Sequence, residues 1–123
     1  MAVMINLPDD ATILDLDVLT AMYGDSSEET IVFALTGFYL AASGYMQDIQ
    51  QAMKASNLTA LAIAAHSLKG ICGLVGAKPM AGLSNQLEHA ARSGDTEQLQ
   101  KALLMLPESW QLLQQQLKLV LKQ

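Results

Sequence analysis

The chain has 123 residues, of which 51% are hydrophobic, 15% charged and 5% aromatic. That length suits one domain of about 100 to 200 residues with a core that needs no covalent staples. Seven Lys and Arg against twelve Asp and Glu give a net charge of −5, which excludes a basic nucleic-acid-binding patch, while the high hydrophobic fraction excludes disorder. The single cysteine, Cys72, excludes an internal disulfide and any multi-cysteine zinc or iron–sulfur site. No basic stretch followed by an apolar one opens the sequence, and a cytoplasmic location is expected.

Apolar residues recur at helical spacing nearly throughout, with no run of period-two alternation. A short helix is predicted over about 15–23, capped by Asp15, carrying Leu16, Val18, Leu19 and Met22, and stopped by Gly24. Asp25 with Glu28 resembles a capping box opening a second helix over about 26–56. Its apolar stripe comprises Ile31, Leu35, Phe38, Ala42, Tyr45, Ile49 and Met53. Thr30 to Gln47 holds no charge, but Thr36, Gly37, Ser43 and Gly44 interrupt it. The stretch falls short of the roughly 20 apolar residues a bilayer requires. A buried helix without membrane insertion is expected.

Asn57 suits the N-cap of a third helix over about 57–75, with Gly76 as its stop. Pro79 fits the first turn of a fourth helix, about 79–93, which carries Met80, Leu83, Leu87 and Ala90 on one side. Gly94 ends it, and Asp95 or Thr96 caps a last helix over about 95–121. There Leu99, Leu103, Leu106, Trp110, Leu113, Leu117 and Val120 form the stripe, and Pro107 is expected to kink or briefly interrupt it. Short links between singly striped helices favour antiparallel neighbours. The predicted fold is all-α, an antiparallel four-helix bundle with a short additional N-terminal helix.

The third helix carries the chemistry. On a wheel of about 100° per residue, Leu61, Ala64, Leu68, Ile71, Cys72 and Val75 cluster opposite His66. Around His66 lie Thr59, Ala62, Lys69, Gly70, Gly73 and Ala77. His66 is therefore expected to point away from the core, into a clearing of small residues with one lysine. Glycine inside a helix costs about 1 kcal/mol relative to alanine, so Gly70 and Gly73 call for a reason, and close approach by another backbone is one. Lys69, three residues after His66 on the same side, is placed to neutralise an anion on the imidazole. An ordinary surface histidine and packing glycines are the plainer reading of the same spacing.

Ala65-His66-Ser67-Leu68-Lys69-Gly70, followed by Gly76-Ala77 and Leu87-Glu88, resembles the histidine-containing phosphotransfer (HPt) domain family. The resemblance extends over nearly the whole chain, through Phe38 in the preceding helix, the Asn57 start, and Gly94-Asp95 before the last helix. It implies a phosphorelay intermediate that accepts a phosphoryl group from the aspartate of one receiver domain and passes it to another. On the matching positions His66 would be the phosphorylated nucleophile, Lys69 would steady the phosphoryl group, and Gly70 would admit the partner. Ile71, Cys72 and Leu74 depart from the small or polar residues often found there, and Asn57 stands where aspartate is frequent. Leu74, near the edge of the active face, bears on partner choice.

The expected partners are response-regulator receiver domains and a hybrid sensor histidine kinase, with the chain itself a monomer. Ala62, Ile63, Gly73, Leu74 and Ala77 are candidates for the docking surface. Neutral imidazole is the nucleophile, with Nε2 the expected attacking atom, and the nearby lysine is expected to favour the neutral ring. Phosphoryl transfer is chiefly positioning and charge stabilisation. With no carboxylate cluster near His66 and no Gly-rich nucleotide loop, the chain is expected to be a phosphocarrier without kinase activity of its own. It is expected to need no cofactor, Mg²⁺ being supplied on the receiver. The alternative is a helical adaptor bundle without phosphotransfer. Within the family, the substrate domain of a chemotaxis-type kinase is a further possibility.

Overall fold

The computed structural model describes residues 13–24 and 27–121. Five helices follow one another: α1 (Leu16–Tyr23), α2 (Glu28–Lys54), α3 (Leu58–Leu74), α4 (Lys78–Ser93) and α5 (Thr96–Leu121), with no strand among the described residues. These bounds lie within two residues of those expected from the sequence, since the caps stand just outside the helical dihedrals.

Local chemistry accounts for most of the ends. Asp15 accepts a hydrogen bond from the Asp17 N–H at 3.1 Å, Asn57 from Ala60 at 3.0 Å, and Asp95 from Gln98 at 3.1 Å. Each satisfies a helix-start donor that has no intrahelical partner. For α2 the cap is Ser27, whose hydroxyl accepts from the Thr30 N–H; the expected Asp25 lies outside the described residues. Gly24 and Gly94 end α1 and α4 at φ of 65° and 72°. α5 runs without interruption through Pro107. Leu106 and Leu113, both buried, anchor it to the core on either side of the proline, so the break expected there does not occur.

α2, α3, α4 and α5 pack in sequential order around one core, α5 closes against α2, and α1 lies on α2 and α3. Tyr39 on α2 and Trp110 on α5 stack across that closing seam, with centroids 5.9 Å apart and planes 10° from parallel. The buried face of α2 includes Met46 and Ala52, whereas Tyr45 is half-buried and Met53 exposed. α2 is flanked by two neighbours, so its interior arc is not the single line of a helical wheel. Met22 of α1 is likewise exposed, leaving Leu19 as that helix's buried anchor. No helix among the described residues is long and apolar enough to cross a membrane.

The α3–α4 link is held from outside the bundle. Gly76 adopts φ +74°, and its carbonyl accepts a hydrogen bond from the Asp15 N–H at 2.9 Å. Lys78 Nζ pairs with Asp15 Oδ2 at 3.0 Å. This latch fixes the start of α1 against the turn that sets where α4 begins.

Candidate functional site

α3 presents its buried stripe as expected: Leu61, Ala64, Leu68, Cys72 and Val75 are inside and Ile71 is half-buried. Cys72 is fully buried, and burial pushes its thiol up to about 12, so it is a packing residue and not a nucleophile. On the opposite side the His66 side chain is 62% exposed. Gly70, Gly73, Ile63 and Leu74 are exposed beside it. A Cβ at Gly70 or Gly73 would meet nothing within 4 Å. Packing within the bundle therefore does not require glycine at either position.

Two expected members of this face are elsewhere. Ala62 is 2% and Ala77 0% exposed, so neither lines a docking surface. α3 packs against α4 as well as α2, which widens its buried arc to take in Ala62. α3 ends at Leu74, and the turn at Gly76 redirects the chain, so Ala77 becomes the N-cap of α4. A wheel drawn through Gly76 places Ala77 on a helix it does not belong to.

Across from His66 lies Glu88 of α4, with its side chain 10% exposed. His66 Nδ1 is 3.1 Å from Oε2 and 3.2 Å from Oε1. Lys69 Nζ donates to Oε1 at 2.9 Å, and Arg92 Nε donates to Oε2 at 3.0 Å. Asn85 Oδ1, one turn earlier on α4, accepts from Lys69 at 3.4 Å. One carboxylate thus gathers three donors, with a cation on each oxygen and the imidazole between them.

Lys69 contributes most to the lowering of the Glu88 carboxyl to about 2, with His66 and Arg92 adding to it and burial opposing it. A carboxylate ionised at all ordinary pH can only accept. Nδ1 of His66 must therefore carry the hydrogen, which leaves the lone pair of the neutral ring on the exposed Nε2. From the sequence, Lys69 is the charge expected close to the ring. Here the carboxylate stands between them and ties Lys69 down. Glu88 had no assigned role from sequence, although Arg92 at its i+4 position is a legible sign of an ion pair on that face.

The depressed Glu88 carboxyl has a measurable consequence. Its folded value lies below the ordinary 4.5, so the stability it contributes is complete above that value and lost as pH falls from about 5 towards 2. The drop is at most about 3 kcal/mol, by 1.36 kcal/mol per pH unit. Urea titrations at stepped pH are expected to show this acid slope in the wild type and a shallower one in Glu88→Gln. Equal slopes would contradict the assignment.

Beyond Leu74, an apolar groove runs between α2 and the end of α3, bordered by Phe33, Gly37, Leu40, Ile71 and Val75. Phe33 is 75% exposed. Neither Phe33 nor Leu40 belongs to the stripe that identified α2 as a core helix, so periodicity alone passes over them.

A family model for the Hpt domain matches residues 34–122. The chain belongs to the Hpt domain family. Hpt domains are helical bundles that carry out histidine phosphotransfer in two-component signalling, interact with receiver domains, and are in general phosphocarriers and not kinases. The match spans α3, α4, α5 and most of α2, and so includes His66, Lys69, Gly70 and Glu88. No curated protein and no solved structure matches the chain.

Proposed function

We propose that this Hpt domain is a phosphorelay intermediate that accepts a phosphoryl group on His66 from a receiver aspartate and passes it to a second receiver. The observation that carries this reading is the exposed imidazole whose Nδ1 faces the ionised Glu88, leaving Nε2 outward with its lone pair. Nε2 attacks the phosphorus of an aspartyl phosphate in line while the aspartate oxygen departs. Lys69 sits beside the ring, held on Glu88 and Asn85, and steadies the incoming phosphoryl charge.

A Mg²⁺ supplied by the receiver would neutralise phosphoryl charge in such a transfer. Glu88, the carboxylate at His66, has its oxygens taken by three donors and is a poor metal ligand. The domain has no kinase activity of its own. It acts as a monomer in the cytoplasm, and a hybrid sensor kinase supplies the first receiver. Gly70 and Gly73 form the floor on which the receiver docks, Ile63 and Leu74 flank it, and the α2 groove with Phe33 and Leu40 extends it. Docking on an open floor explains why glycine is kept where a side chain would have room. Gly70→Leu is accordingly expected to slow transfer about tenfold or more through steric exclusion, without loss of thermal stability.

The direct test is incubation with a phosphorylated receiver, followed by mapping of the transferred phosphate. Acid-labile, base-stable phosphate on the peptide containing His66 is the expected result. Phosphate that resists acid, or maps to another residue, would exclude this function and favour an adaptor bundle.

A further inference from the structure

The arrangement at Glu88 bears on how the phosphoryl group leaves, and this step rests on the phosphocarrier reading above. We propose that Glu88 is a positioning residue that keeps the Nδ1 proton on the imidazole throughout the phosphorylated state, so that phosphoryl transfer into and out of His66 requires no proton movement.

The balance of the step follows from the geometry. In the resting state the ring is neutral, with hydrogen on Nδ1 and a lone pair on Nε2, and Nδ1 lies 3.1 Å from Oε2 of Glu88. As the Nε2–P bond forms, the aspartyl O–P bond breaks and its electron pair returns to the receiver carboxylate. The ring, which has donated its lone pair and kept its proton, becomes cationic. Its positive charge lies against a carboxylate that is already ionised and 10% exposed, in surroundings that strengthen the attraction relative to water. In the outward step a receiver carboxylate oxygen forms the new O–P bond, the N–P electron pair returns to Nε2, and the ring leaves as neutral imidazole. The proton stays on Nδ1 in both directions.

Without Glu88 the phosphorylated ring can release that proton to water near neutral pH. The outward step would then have to expel an imidazolate, a far poorer leaving group. The acid lability of phosphohistidine reflects the same chemistry, since a protonated ring departs readily. Because the anion is built into α4, this protein keeps its phosphoryl group in the transferable form at pH values where an isolated phosphohistidine grows inert.

The other charged groups around the ring do not substitute for Glu88. Lys69 from α3 and Arg92 from α4 are cations bound to the same carboxylate, and they oppose a cationic ring. On α2, Asp48 lines a separate groove with Ile63 and Ser67. The Asp15–Lys78 pair sits at the α3–α4 link, past the C-terminal end of α3. Glu88 is the carboxylate in contact with Nδ1.

The experiment uses the full chain phosphorylated with phosphoramidate, a small donor that bypasses the first receiver. Onward transfer to a receiver is timed between about pH 6 and 9, with the receiver held in excess. The wild-type rate is expected to stay within about twofold across that range. In Glu88→Ala it is expected to fall by about tenfold per pH unit once the ring deprotonates, and in Glu88→Gln, which keeps an acceptor but not the charge, to fall at an intermediate pH. ¹⁵N spectra of the phosphorylated wild type should retain the Nδ1 proton to the top of the range, a readout that does not depend on how well either variant folds. Parallel pH profiles in all three proteins, or loss of that proton near neutrality in the wild type, would overturn the inference while leaving phosphotransfer intact. Failure of His66 to take phosphate in the wild type from either phosphoramidate or a phosphorylated receiver would overturn both readings.

Discussion

His66→Gln is expected to abolish phosphoryl acceptance, by a thousandfold or more on the order of magnitude seen when a nucleophile is removed, while leaving the helical circular dichroism signal unchanged. The first half follows from chemistry. Glutamine occupies a similar volume but has no lone pair able to displace an aspartyl phosphate. The second half follows from position. His66 is 62% exposed, its neighbours Ala65 and Leu68 carry the packing, and a glutamine amide can still donate towards Glu88. The stability change should stay within about 1 kcal/mol, as for most surface substitutions. Lys69→Ala provides the graded comparison: transfer slows but persists, because the nucleophile remains and one charge-assisted contact is lost. Phosphate uptake measured alongside thermal melting separates these outcomes. Acceptance retained in His66→Gln would remove the proposed function altogether.

The largest structural effect is expected at Gly76. Alanine there is expected to lower stability by about 3 kcal/mol, from about 1–2 kcal/mol for a Cβ at positive φ and the remainder from overlap with Asp15. The backbone sits at φ +74°, and an added Cβ would collide with the carbonyl of Asp15. The latch would have to open, sacrificing the 2.9 Å hydrogen bond from Asp15 N–H to the Gly76 carbonyl and loosening the Lys78–Asp15 pair. For a domain of this size the melting temperature should fall by about 10 °C. Gly70→Ala is the matched control. The same methyl group is added, but to a helical residue with open space around it, so stability should rise by up to about 1 kcal/mol. Opposite signs from one chemical change would show that Gly76 is kept for the fold and Gly70 for the surface. Equal signs would refute that distinction.

Much of this protein is determined by interactions within one or two helical turns, and those were legible in the sequence. Asp15, Asn57 and Asp95 cap helices because their side chains reach N–H groups two or three residues ahead. Gly24, Gly76 and Gly94 end helices because the left-handed conformation is open to them. The outward direction of His66 and Lys69, the open positions at Gly70 and Gly73, and the buried stripe behind them all follow from α3's own periodicity. So does the bundle, since short links leave striped helices few other arrangements. Asp25 with Glu28 matches a capping box, but the cap is Ser27, the residue directly before the helix start.

Only the tertiary structure decided what stands next to the imidazole. Glu88 is 22 residues from His66, and although Arg92 at its i+4 position marks it for an ion pair, nothing local points to a histidine on another helix. It becomes the partner of His66, Lys69 and Arg92 because α4 returns antiparallel to α3 at a register set by the turn at Gly76 and its latch to Asp15. The same packing buried Ala62, which a single-helix wheel left outside, and carried Ala77 onto another helix. Sequence periodicity gives a side chain's direction about its own helix axis. The charge that it faces depends on where the neighbouring helix is placed, and in this chain that placement sets the tautomer of the proposed nucleophile.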